Sequence, residues 1–187
     1  MSASCRSGAN VTLWDATTGA VLVNMITPNQ PCGADVNHAQ LLEDDTVALV
    51  SEHGDDCFVK YNVSGRDALG RTQIYRIGGA KGTWPIVDFD TSVEYPPGSV
   101  VWKGQHNAEY MGIGDSGHEV WMFDDNGLGN ESRLLIVTVD DTGGEAYLEW
   151  EYKLGTLSTQ SLIDGLWVMG WPPAYIEGAR PLAKGQK

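Results

Sequence analysis

One order of residue types runs twice along this chain, and that repetition restricts its possible folds more than any other feature. Histidine, strand, turn, strand, turn, strand, then an aromatic-basic-aliphatic-Gly ending describes His38 to Gly78, and it describes His106 to Gly155. The endings Tyr75-Arg76-Ile77-Gly78 and Tyr152-Lys153-Leu154-Gly155 match by type, and the two histidines stand 68 positions apart (106 − 38). Helical spacing of apolar residues is nowhere sustained beyond a turn or two. The repeating unit is therefore a β unit, one histidine to each.

The strands follow from alternation and turn chemistry. Val11-Thr12-Leu13-Trp14, then Asp15 to Gly19, then Ala20 to Val23 reads as a hairpin. Asn37–Leu42, Thr46–Val50, Cys57–Val63 and Gln73–Ile77 form the first unit, with charged or Gly-containing turns between them. Residues 80–99 make a longer connection in which Pro85, Pro96 and Pro97 argue against a central strand at Ile86-Val87-Asp88-Phe89. The second unit takes in His106–Gly112, Glu119–Phe123, Leu134–Val139 and Ala146–Tyr152. Residues 162–170 look like the start of another strand-turn-strand.

Units of about four antiparallel strands, with turns every 8–12 residues or so, suit β-propeller blades. The expected fold class is all-β, an incomplete propeller forming a single region over 1–187, with blade-like units at about 34–79 and 100–156 and partial units at both ends. A propeller closes with roughly four to eight blades. Two units leave either a truncated ring, which is the expectation here, or closure as a sandwich or oligomer. Exposed blade edges would favour self-association.

Composition narrows the function. Apolar residues make up 42%, enough for a core. The net charge of -13, from 25 acidic and 12 basic residues, repels phosphate backbones and disfavours nucleic acid. Cys5, Cys32 and Cys57 have no CxxC spacing, which argues against zinc or a redox dithiol and leaves open one disulfide plus a spare thiol. Three Asn-x-Ser/Thr sequons start at Asn10, Asn62 and Asn130, where about one is expected by chance, and they tilt the expectation toward a secreted glycoprotein. The N-terminus has no apolar h-region, and no run is long enough for a transmembrane helix.

The stretch Gln105-His106-Asn107-Ala108-Glu109, then Phe123-Asp124-Asp125-Asn126-Gly127, then Ser132-Arg133 resembles the arylsulfate sulfotransferase family. The likeness covers roughly residues 34–170. In the family the motif reads about Gln-His-Asp-Ala, Phe-Asp-Asn-Gly, Ser-Arg; here Asn107 replaces Asp, and one extra Asp precedes Asn126. The resemblance implies a six-bladed propeller whose channel carries histidines and an arginine. It implies His106, His38 and Arg133 as catalytic residues, Asn107 and Asn126 as substrate-binding residues, and no cofactor or metal. The partners would be a small aryl sulfate and a phenolic acceptor. A sulfuryl group would pass through a histidine without a nucleotide donor. Imidazole suits both the attack on sulfur and the proton traffic, and a guanidinium can grip two sulfuryl oxygens.

Plainer readings stand beside these. His38 and His106 also serve as hydrogen-bonding residues between strands, and Arg133 as an ion-pair partner of Asp124 or Glu131. His53 and His118 adjoin turn residues and are expected to face solvent. Asp124-Asp125-Asn126 lacks the alternating acids of a calcium loop and reads as a turn. Ala80-Lys81-Gly82-Thr83-Trp84 faintly resembles a phosphosulfate-binding loop, but Pro85 follows where a helix is needed. The alternative function is a non-catalytic β-propeller that binds or scaffolds.

Overall fold

The computed structural model describes residues 10–26, 35–42, 46–63, 72–114, 117–125 and 132–153. Among them there is no α-helix, and the strands form three sheets. Strands β1 (Asn10–Trp14) and β2 (Val21–Ile26) make a separate antiparallel hairpin. Its turn is built as the sequence predicts. The Asp15 carboxylate accepts from the backbone N–H of Thr17 and Thr18, and Gly19 takes φ +69°, where a side chain would be strained.

The first main sheet runs in chain order: β3 (Val36–Leu42), β4 (Val47–Glu52), β5 (Cys57–Asn62) and β6 (Thr72–Ile77), all antiparallel. The second repeats that order with β9 (Gln105–Gly114), β10 (Gly117–Asp124), β11 (Arg133–Asp140) and β12 (Glu145–Lys153). It departs from the expected four-stranded antiparallel unit in one respect. Strands β7 (Ile86–Asp88) and β8 (Glu94–Tyr95) extend it to six, and β7 pairs with β12 in parallel. The prolines bound these short strands instead of interrupting them: Pro85 precedes β7 and Pro96 follows β8. A missing N–H costs nothing at a strand terminus.

The repeat has a counterpart in register. His38 pairs with Ser51, one residue before the buried Glu52 that ends β4. His106 pairs with Phe123, one residue before the buried Asp124 that ends β10. Each first strand carries an irregularity beside its histidine, between Val36 and His38 in β3 and opposite Met122 in β9.

The two sheets meet through one core. Leu49, Phe58, Tyr75 and Ile77 of the first pack with Ile86, Trp102, Ala108, Val120, Met122 and Leu135 on the other side. Burial of such surface is the main stabilising term, at about 25 cal/mol per Å². Hydrogen bonds fix how the first strands face each other. The Gln40 side-chain amide donates to the Tyr110 carbonyl and accepts from the Tyr110 N–H, so it serves the open edge of β9 as a short strand would. Gln105 Nε2 donates to the Cys57 carbonyl at 2.6 Å, and the Gly104 N–H to the Asp56 carboxylate at 2.7 Å. Lys60, nearly buried, reaches across to Asp141 at 2.9 Å.

No helix of the described residues is long and apolar enough to cross a membrane. Cys57 is a buried free thiol, and burial pushes its pKa up, so it is inert. Cys5, Cys32, Asn126, Asn130 and residues 162–170 lie outside the described residues.

Candidate functional site

Antiparallel order puts the start of a first strand beside the end of the second. At that end of the two sheets the structure gathers two histidines. His106, at the start of β9, lies 4.8 Å from His53 between ring centroids, the planes tilted by 53°. His53 opens the short 3-10 turn His53–Asp55 that follows β4. It is therefore not the solvent-facing turn residue that its neighbours Gly54 and Asp55 suggest; its side chain is 31% exposed, the same as that of His106.

Each ring has partners of its own. Asn37, at the irregularity in β3, directs its Nδ2 to the Gln105 carbonyl and to His106 Nδ1, both at 2.9 Å. His106 Nε2 faces the Asp125 carboxylate at 3.9 Å. His53 Nδ1 faces Asp35 at 3.5 Å, and the His53 backbone N–H donates to the Asp35 carbonyl. The backbone around the pair is bent at several points. Asp35, Asp56 and Asn107 take positive φ, a conformation that Asp and Asn tolerate better than most residues, and Gly104 takes φ +67°. Asn107 therefore has a backbone reason to be Asn, whatever its side chain binds.

A buried acid–arginine cluster holds each histidine's support. Glu52, fully buried, accepts from Arg76 at 2.7 Å and from the Tyr61 hydroxyl at 2.9 Å. Arg76 also reaches Asp55, which Lys81 contacts in turn, so the turn carrying His53 is tied on both sides. Burial drives the Glu52 carboxyl pKa upward, against the opposing pull of Arg76 and Tyr61. On the other sheet, Arg133 donates from Nε to Asp124 at 2.9 Å, from Nη1 to Glu151 at 2.9 Å and from Nη2 to the Val101 carbonyl. Asp124 accepts from the Lys103 N–H, which fixes the chain just before Gln105-His106. Arg133 is thus engaged with two carboxylates and a carbonyl, and its side chain is mostly buried.

His38 lies apart. Its Nε2 is buried without a hydrogen-bond partner, beside the cross-strand Ser51, whose hydroxyl is likewise unpartnered. The structure therefore brings His106 and Asn37 together with His53 and Asp35, engages Arg133 with Asp124 and Glu151, and leaves His38 partly buried on the edge strand β3. Sequence reasoning missed His53 and Asp35. The available signal was topological: a residue just after a second strand adjoins a first strand's start.

Burial lowers the His38 pKa, with the Glu109 charge opposing; burial and the neighbouring His53 lower that of His106, with Asp125 and Asp35 opposing. A depressed folded pKa gives stability that is present above the unfolded value and is lost as pH falls through the folded value. As pH drops below 6.5, the unfolded chain takes up protons that the folded chain refuses. The midpoint of urea unfolding should therefore fall below that pH. It should fall less steeply in the His38→Gln/His106→Gln variant. Equal slopes for the two proteins would exclude these histidines as the cause.

No group of three or more metal-ligating side chains occurs among the described residues. The chain matches no protein-family model, and no curated protein matches it.

Proposed function

We propose that this chain is part of an arylsulfotransferase-like β-propeller that moves a sulfuryl group from an aryl sulfate to a phenol at the His53–His106 pair. The observation that carries the reading is the pair itself: two half-buried imidazoles in contact, each with a polar partner on its far side, one of them within the motif Gln105-His106. Sheets that repeat one strand order and face each other through their first strands are what successive blades require. The chemistry fits imidazole. A ring nitrogen attacks sulfur, the S–O bond to the aryl group breaks with its electron pair, and the acceptor oxygen later takes the sulfuryl group from nitrogen. In this reading Arg133 positions the strand starts, and His38 has a structural place. A secreted location belongs to the same proposal, supported by the resemblance and the sequons.

The test is release of phenolate from a chromogenic aryl sulfate, with a phenolic acceptor, by the full chain. Release should depend on the acceptor and fall by about 100-fold or more in His106→Ala. No release, or release undiminished in that variant, rejects the reading. One observation favours the non-catalytic alternative. Asp35, Asp125 and Glu109 surround the histidines, while Arg76 and Arg133 are both engaged by carboxylates, which gives an anion little cationic grip. A binding propeller would show no turnover under the same conditions.

A further inference from the structure

The geometry points to His53, and not His106, as the residue that carries the attacking nitrogen, with His106 as a fixed hydrogen-bond donor beside it; this rests on the sulfuryl-transfer reading. The assignment follows from protons. Asn37 Nδ2 has two N–H groups, and its two acceptors are the Gln105 carbonyl and His106 Nδ1. A flipped amide would set its oxygen against the Gln105 carbonyl, two acceptors at 2.9 Å, so the orientation is fixed. His106 Nδ1 must then accept, and the neutral ring carries its proton on Nε2. That nitrogen donates; it has no lone pair to attack with.

His53 is arranged the opposite way. Its Nδ1 faces the Asp35 carboxylate, which favours the proton on Nδ1 and leaves the lone pair on Nε2. The backbone bond from His53 N–H to the Asp35 carbonyl keeps the acid in place. The Nε2 side lies beside Gly104 and Asp125: a β-carbon on Gly104 would stand in van der Waals contact with both, at 3.4 Å and 3.8 Å, so the second nitrogen of His53 is on the side that also carries the acid facing His106. The step is then balanced. His53 Nε2 forms the N–S bond, and the aryl oxygen leaves as phenolate with the S–O pair, hydrogen-bonded by His106 Nε2–H. Asp35 offsets the positive charge on the sulfuryl-imidazole. An acceptor phenolate next attacks sulfur, and the N–S pair returns to His53. Asn37 and Asp35 are positioning residues; the histidines touch the reacting atoms.

The experiment uses the full chain with a sulfur-radiolabelled aryl sulfate and no acceptor, quenched and digested for peptide mapping. Label on the peptide containing His53, absent in His53→Gln and retained in His106→Gln at turnover reduced about 100-fold, is the expected result. Label on the His106 peptide, or turnover with no label on His53, overturns the assignment while the sulfuryl-transfer reading stands. Neither turnover nor label overturns both. Nitrogen NMR of the imidazoles gives a readout that needs no activity. His106 should show an unprotonated Nδ1 in the wild type and a protonated Nδ1 in Asn37→Asp, whose carboxylate accepts. A protonated Nδ1 in the wild type overturns the proposal.

Discussion

Replacing Arg133 with methionine should destabilise the fold by about 3–5 kcal/mol, because the substitution leaves a fully buried carboxylate without its counter-charge. Asp124 is 0% exposed, and Arg133 meets it through two nitrogens. Removing one partner of such a pair costs far more than removing both, since the remaining ion keeps its desolvation cost and loses the opposite charge. The check is urea unfolding followed by far-ultraviolet circular dichroism. Arg133→Met should lose most of the stability, and Asp124→Leu/Arg133→Met should recover a large share of it. A different result belongs to an arginine that grips substrate: unchanged unfolding with a selective loss of turnover. That outcome would place Arg133 at the mouth of the site, against its bonds to Asp124, Glu151 and Val101.

The same residue marks the limit of what the sequence reveals. Strand positions were legible because their signals are local. The run Leu134–Val139 and the Asp15 turn needed only neighbours along the chain, and both stand where alternation and turn chemistry place them. The parallel pairing of β7 with β12 was not legible, because it joins residues about sixty apart by register alone. Arg133 looked equally suited to holding an anion or an acid, and only the burial of Asp124 separates the two. The turn-forming neighbours of His53 point it toward solvent in the sequence. Those neighbours do form a turn, but the second sheet packs against it, and no local pattern encodes that packing. The repeat makes His38 and His106 equivalents. Register makes them so, yet Ser51 and Glu109 surround one and Asn37, His53 and Asp125 the other.

Trp102→Ala should also cost about 3–5 kcal/mol, the usual range for deleting a large buried aromatic side chain. Trp102 is 0% exposed and stacks on Phe58 of the first sheet, with centroids 6.0 Å apart and planes within 10°. Its indole N–H has no hydrogen-bond partner, so the loss is packing, not a polar bond. The position also couples to Gly78, at the end of the first sheet. A β-carbon on Gly78 would lie 2.5 Å from the Trp102 ring and 2.8 Å from the Asp56 carbonyl, at φ +84°. Gly78→Ala alone should therefore be severe. In the Trp102→Ala background part of that clash disappears, and the two costs should sum to less than their separate values, as contacting residues do. The Asp56 carbonyl and the positive φ remain, so the second substitution keeps a cost of its own. Simple additivity in the urea midpoints of the four proteins would mean that Gly78 is required for its backbone alone. Sub-additivity would establish that the indole fills the space above Gly78, and that the two sheets, and the histidine pair at their end, are held together at this point.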